Sequence, residues 1–284
     1  MNIVLATALI ALALAFALGT ALGFFKQIFA VKEDPLVGEI RGILPGANCG
    51  ACGFPGCDGY AAAVAGGSAG ISACTVGGQS VAEKLSSMVG GTVEIKPEVA
   101  VIACRGTHAN AKLKGEYIGV KSCRAAKLST GSIKRCSWGC QGFGDCVKVC
   151  KFDAMHLGED GLPHVDTSKC TGCRACANEC PQHIIWMVPR DQKGARPICS
   201  NLNVNKAMVA KNCKAGCIKC ELCVKNCPQQ CMKMVNGIPV VDYSKCDACG
   251  VCVHKCPVQG KVMTLLFDGK VIAPPPMPES KSFP

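Results

Sequence analysis

The 284-residue sequence lacks the motifs of nucleotide binding and of hydrolytic chemistry. No G-x-G-x-x-G run follows a strand pattern and no P-loop is present, so a nucleotide site, including one for NAD, is not expected in this chain. Neither a Ser/His/Asp arrangement nor a pair of carboxylates indicates a catalytic site. The five histidines show no paired spacing, and surface or turn positions are expected for them.

Charge is absent from residues 3–25, which are mostly Ala, Leu, Val, Ile and Phe. As a helix, this run would measure about 35 Å, enough to cross a bilayer core. A secretory signal would begin with positive charge, yet nothing charged precedes Lys26, so a retained single-pass anchor is favoured. Lys26 and Lys32 follow it, and the positive-inside rule places the rest of the chain on the cytoplasmic side of the cell membrane.

Cysteine, in contrast, is abundant, with 25 residues. Four runs lie between residues 136 and 257, and three of them have the spacing C-x2-C-x2-C-x3-C-P. This is the ligand spacing of a bacterial two-cluster ferredoxin, in which the fourth cysteine ligates the other cluster. Lys151 replaces the proline in the first run. The runs are Cys136, Cys140, Cys146, Cys150; Cys170, Cys173, Cys176, Cys180; Cys217, Cys220, Cys223, Cys227; and Cys246, Cys249, Cys252, Cys256.

The runs repeat at an interval of 76 or 77 positions, which predicts two tandem ferredoxin-like modules. The crossed-ligand rule then gives four [4Fe-4S] sites. In the first run Phe143 stands at the position of Cys220, and Cys136 is the nearest substitute ligand. The predicted sets are Cys136, Cys140, Cys146, Cys180; Cys150, Cys170, Cys173, Cys176; Cys217, Cys220, Cys223, Cys256; and Cys227, Cys246, Cys249, Cys252.

A fifth four-cysteine site precedes the modules and consists of Cys49, Cys52, Cys57 and Cys74. Its glycines allow backbone amides to approach the sulfurs, and a helix over 58–65 would direct its positive end at an anionic cluster. A zinc knuckle and a disulfide at Cys49 and Cys52 are the alternatives. For the chain as a whole, triplets with a remote fourth cysteine argue against zinc, and the odd cysteine count argues against disulfides.

Five cysteines remain outside these sets. Cys231 falls at a small or apolar position of the repeat and is expected to be a buried core thiol. Cys104, Cys123, Cys199 and Cys213 are either separate buried thiols or the ligands of a sixth cubane between the modules. The sequence therefore predicts five clusters, or six under the second hypothesis.

The formal charge of +11 does not indicate nucleic acid as a partner. Five oxidised cubanes, each about −2 with its four thiolates, would bring roughly −10 and nearly cancel the basic excess.

The predicted fold class is α+β, with short helices over 34–44 and 79–89 and strands over 92–95 and 99–103. The predicted parts are an anchor (1–30), a four-cysteine domain (31–91), a connecting region (92–134), two ferredoxin-like modules (135–192 and 193–268) and a Pro-rich tail (269–284).

The segment LPGANCGACGFPGCDGYAAA, with Cys74 downstream, an apolar N-terminus and ferredoxin modules behind it, resembles the RnfB family. These are the B subunits of Rnf-type ion-translocating ferredoxin:NAD oxidoreductases. The resemblance covers nearly the whole chain, and the segment from Cys136 to Cys146 is similar to the form found in anaerobes. Lys151 departs from the family, which usually has proline there, and implies a local loop change without loss of a cluster.

The resemblance implies an electron-transport subunit, part of a translocase that oxidises ferredoxin and reduces NAD. Such a subunit accepts electrons from reduced ferredoxin and relays them to membrane-embedded and flavin-bearing partners, which reduce NAD and move ions. Two other hypotheses stay open. One is an iron–sulfur subunit of another oxidoreductase, such as a corrinoid/acetyl-CoA system, and the other is a zinc-stabilised structural protein.

Overall fold

The computed structural model describes residues 3–29, 34–91, 96–259 and 262–276. Its first element is the predicted apolar helix, α1 (Ile3–Ile28). The part Leu5–Ile28 is long and apolar enough to cross a membrane, and its most apolar window is not buried against the other described residues. The Thr20 hydroxyl donates to the carbonyls of Phe16 and Ala17, so the helix satisfies this polar group internally.

The four-cysteine domain is a small helical unit. The side chain of Asp34 accepts the Leu36 amide and begins the first helix, which has proline at its first position. Ile40, Tyr60 and Leu85, one from each helix, are fully buried in a shared core. All three predicted helices are present, with ends shifted by one residue. Their bounds are α2 (Pro35–Ile43), α3 (Cys57–Ala65) and α4 (Gly78–Val89).

The two ferredoxin-like modules follow, and each is built from two antiparallel strand pairs. In each module the first strand pairs with the strand that follows the last cysteine run, and a short hairpin lies between the runs. The first module contains β1 (Glu98–Ile102), α5 (Cys123–Thr130), α6 (Asp145–Lys148), β2 (Met155–Leu157), β3 (Pro163–Val165), α7 (Ala175–Glu179) and β4 (Ile185–Pro189). The second contains β5 (Gly194–Pro197), α8 (Lys206–Asn212), α9 (Leu222–Lys225), β6 (Met232–Val235), β7 (Ile238–Val241), α10 (Val251–His254), β8 (Met263–Phe267) and β9 (Lys270–Ile272).

Two predicted boundaries need correction. Strand β1, assigned to the connecting region, pairs along its whole length with β4 and so completes the first module. Strand β9, assigned to the tail, pairs with β8. In both cases the deciding contact is between strands, which local composition does not reveal. The predicted strand over 92–95 and the end of the tail, 277–284, lie outside the described residues.

The modules pack directly against each other. Val99 and Val101 of β1 share a buried cluster with Ile198 and Leu266 of the second module. Arg190 lies at this junction, where its guanidinium pairs with Asp268 at 2.9 Å and also donates to two carbonyls of the first module. The modules therefore form one body with a buried seam.

Candidate iron–sulfur centres

In the four-cysteine domain, all four predicted ligands line one pocket of about 320 Å³. Helix α3 begins at Cys57, whose amide donates to the Asn48 side chain at 2.8 Å. Burial raises the pKa of Cys74, while the Gly77 amide donates to its sulfur and lowers it; the charges of Cys52, Cys57 and Cys49 raise it again. Each thiolate in this set disfavours the ionisation of its neighbours. A cationic iron core bound among them would remove that repulsion and stabilise all four thiolates.

The four ferredoxin loops share one backbone pattern. Residues two and four positions after Cys140, Cys170, Cys217 and Cys246 have positive φ. Such alternation turns backbone amides towards one point and forms a concave site for an anion, as in iron–sulfur proteins. Because the first loop has the same pattern around Phe143, that residue lies where the other three loops place a thiol. The residues are Gly142, Gly144, Gly172, Arg174, Lys219, Glu221, Ala248 and Gly250.

Two of the predicted sets line pockets of their own, one in each module. The pockets measure about 330 Å³ in the first module and about 350 Å³ in the second. In both, a cysteine of the other run of that module completes the triplet, as the crossed-ligand rule predicts. The first pocket contains Cys150, Cys170, Cys173 and Cys176. The second contains Cys217, Cys220, Cys223 and Cys256.

The last set of the second module is also brought together. Burial raises the pKa of Cys252 to about 12, and the charges of Cys249, Cys246 and Cys227 add to the shift. Cys231 is buried beside this set, with its sulfur 3.4 Å from that of Cys227. The core position predicted for Cys231 therefore also adjoins a candidate ligand.

The structure groups Cys136 with thiols other than its predicted partners. Burial raises the pKa of Cys136 to about 12, and the thiols that raise it further belong to Cys104, Cys199 and Cys213. None of the predicted partners of Cys136 is among its main electrostatic neighbours in the described part of the chain. Its side chain instead lines a pocket shared with those three cysteines.

Cys123 occupies the place that was predicted for Cys136. Burial raises the pKa of the Cys123 thiol, although the amides of Asp145 and Phe143 donate to its sulfur and lower it. Burial is the largest cause that raises the pKa values of Cys140 and Cys146 to about 12, and the charge of Cys123 is another cause of both shifts. The first set thus gathers Cys123, Cys140, Cys146 and Cys180.

Helix α5 carries Cys123 into this position. Asp145, which directly precedes Cys146, accepts from the Ser122 hydroxyl at 2.8 Å and from the Arg124 amide at 3.2 Å. Both donors belong to the start of α5, so the carboxylate fixes the amino end of the helix against the ferredoxin loop. The sequence does not predict this contact from ligand spacing, because Cys123 lies 17 positions before Cys140.

Each of these sites offers four cysteine thiols. Four thiolates are the usual ligand set of a [4Fe-4S] cubane, and the crossed spacing of the runs is that of two-cluster ferredoxins. The pockets and the inward-turned amides fit [4Fe-4S] cubanes held by four thiolates.

Comparison with known proteins agrees with this chemistry. A family described as "Putative Fe-S cluster" matches residues 44–76, and the family "4Fe-4S binding domain" matches residues 163–186 and 239–260. The B subunit of the Na(+)-translocating ferredoxin:NAD(+) oxidoreductase complex of Acetobacterium woodii is 42% identical over 233 residues, covering 80% of this chain and 68% of that protein. The chain belongs to the B-subunit family of ion-translocating oxidoreductase complexes.

Two other members of this B-subunit family match along most of their length. The B subunit of the proton-translocating ferredoxin:NAD(+) oxidoreductase complex of Clostridium ljungdahlii is 38% identical, with 87% of each chain covered. Its counterpart in the ion-translocating oxidoreductase complex of Methanosarcina acetivorans is 36% identical, covering 83% of this chain and 89% of that protein. Family membership confirms the predicted resemblance, the α+β iron–sulfur architecture and the oxidoreductase character of the complex.

Proposed function

We propose that the chain is the electron-entry subunit of its complex, accepting electrons from reduced ferredoxin and relaying them towards flavin-bearing and membrane-embedded partners. The observation that carries this proposal is the succession of four-thiol sets along the two packed modules. In the first module, neighbouring sets are joined by short helices. Helix α6 contains Cys146 of one set and ends two residues before Cys150 of the other, and α7 contains Cys176 and ends directly before Cys180. When bound, the clusters supply one-electron chemistry, and the chain supplies position and shielding from water.

The four-cysteine domain lies at one end of this succession. The Lys151 side chain, next to Cys150, donates to the Asn48 carbonyl, next to Cys49, at 3.0 Å. This contact brings the two cysteine sets close enough to be neighbours in the relay. Lys151, at the position where the other three runs have proline, therefore provides a contact between the first module and the four-cysteine domain.

The proposal includes the topology of the chain and its division of labour. Helix α1 would cross the cell membrane once, with the cysteine domains on the cytoplasmic side, where thiols stay reduced. NAD reduction and ion movement would take place in partner subunits, because the sequence carries no dinucleotide-binding motif. The complex as a whole would then act as a translocase.

The test uses the full chain purified without oxygen in detergent. We expect a brown protein whose broad visible absorption bleaches with dithionite and with reduced ferredoxin, and which does not reduce NAD on its own. A colourless protein that holds zinc would contradict the electron-transfer role. NAD reduction by the isolated chain would contradict the proposed division of labour.

A further inference from the structure

Four thiols outside the ferredoxin spacing converge at the seam between the modules. Their pocket measures about 370 Å³, close to the 320–350 Å³ of the three pockets that hold motif cysteines. Burial raises the pKa of Cys213, and the charges of Cys104 and Cys199 raise it further. The four thiols are Cys104, Cys136, Cys199 and Cys213.

Backbone amides lie close to these sulfurs. The Gly106 amide donates to Cys104 at 3.3 Å, and the Cys217 amide donates to Cys199 at 3.4 Å. The amides of Trp138, Asn201 and Ala215 lower the pKa values of Cys136, Cys199 and Cys213. Motif ligands show this contact too, as Gly142 does for Cys140. Amide hydrogen bonds stabilise thiolate sulfur and tune the potential of a cluster, and a core thiol packed among apolar side chains has no need of them.

The four thiols are related by the repeat of the modules. Cys104 follows the end of β1 by two residues, and Cys199 follows the end of β5 by two residues. Cys136 lies four positions before Cys140, as Cys213 does before Cys217. Each module therefore contributes one pair of cysteines to the seam, and the two pairs occupy equivalent positions in the repeat. Cysteines that were buried there by chance would not be expected at equivalent positions.

A buried lysine, Lys134, lines the site, and a second, Lys219, lies between it and the Cys217 set. Lys134 is only 2% exposed and Lys219 only 7% exposed. Their ammonium groups donate to the carbonyls of Gly106 and Asn201 at 2.6 Å and 2.8 Å. Among the described residues neither lysine has a carboxylate partner within ion-pair distance, although an unpaired buried charge is costly. An anionic cluster supplies the missing counter-charge.

We infer that Cys104, Cys136, Cys199 and Cys213 ligate a further [4Fe-4S] cluster that joins the two ferredoxin modules. The inference rests on the proposed relay function and completes it. The site adjoins Cys140 of the first module and Cys217 of the second, so one electron at a time can pass between the modules without breaking any bond in the chain. The ligand set differs from the predicted one in a single member, since Cys136 replaces Cys123.

Iron analysis of the full chain, reconstituted without oxygen, tests the inference. With four iron atoms per cubane, we expect about 24 Fe per chain. The double variant Cys199→Ala, Cys213→Ala should hold about 20 Fe, because every ligand of the other five sets remains. It should also lose about one-sixth of the dithionite-reducible spin intensity. The matched control is Thr264→Ala, which truncates a buried side chain of β8 outside the pockets of the cysteine sets and should keep about 24 Fe.

The wild-type stoichiometry is decisive by itself if the double variant assembles poorly. About 20 Fe in the wild type, or unchanged iron in a folded double variant, would overturn the sixth site while leaving a five-cluster relay intact. A wild type without reducible iron would instead overturn the proposed function. The two failures are therefore distinguishable.

Discussion

Phe143 and Cys123 together replace what one cysteine provides in the other three ferredoxin loops. Phe143 occupies the ligand position of the loop, and its amide donates to the Cys123 sulfur that arrives from α5. We predict that Cys123→Ala lowers iron content by about four atoms per chain. Adding Phe143→Cys should restore them, because the backbone there already matches the loops that carry a thiol.

The same rescue separates the two candidate roles of Cys136. Cys136→Ala should also lose about four iron atoms, but Phe143→Cys should not restore them, since the lost site lies at the seam. Rescue of Cys136→Ala, together with no effect of Cys123→Ala, would return Cys136 to the first set.

At the scale of elements, helix α5 depends on the Asp145 carboxylate. Asp145 is 8% exposed and accepts from Ser122 and Arg124 at the start of that helix. We predict that Asp145→Ala lowers the free energy of unfolding by about 1–2 kcal/mol, the usual cost of losing such contacts. It should also reduce occupancy of the set that contains Cys123.

Anaerobic denaturation together with iron analysis measures both effects. The control is Glu83→Ala, since Glu83 is an exposed carboxylate in the middle of α4 whose substitution should leave the free energy of unfolding nearly unchanged. Equal behaviour of the two variants would show that Asp145 does not position α5.

The elements also show what the sequence can and cannot predict. Ligand spacing identified the complete ferredoxin runs, because cubane geometry demands it locally. It misplaced Cys136 and Cys123, because the segment between β1 and the first run is longer than its counterpart in the second module. Cys104 and Cys136 are 32 positions apart, whereas Cys199 and Cys213 are 14 apart. Strand pairing makes Cys199 equivalent to Cys104, although the two are not separated by the interval of 76 or 77 positions that relates the cysteine runs.

At the scale of the whole molecule, α1 is set apart from the cysteine domains. Large apolar side chains along it are exposed, including Leu12 at 71% and Phe16 at 74%. We predict that the full chain stays in the membrane fraction after a high-salt wash, because apolar burial does not depend on the screening of charges. A chain lacking residues 1–29 should be recovered in the soluble fraction with its iron intact. Release of the full chain by salt would contradict an anchoring role.

The charge of the whole molecule also depends on its clusters. The formal charge of +11 belongs to the polypeptide alone. Six oxidised cubanes at about −2 each would bring about −12 and leave the loaded chain nearly neutral. The basic side chains that surround the cysteine sets, such as buried Lys134 and Lys219, therefore balance the cofactors, and a nucleic-acid partner need not be invoked.

We propose that the chain is a continuous row of one-electron centres. Two contacts connect these centres. The Lys151 side chain contacts the four-cysteine domain from the first module, and the pocket that contains Cys104 and Cys199 lies between the first and second modules. The most direct test is an anaerobic reductive titration of the full chain, followed by visible absorption and electron paramagnetic resonance. We predict uptake of about six electrons per chain, one for each cubane. Uptake of no electrons would contradict the relay, and uptake of about five would contradict the seam site.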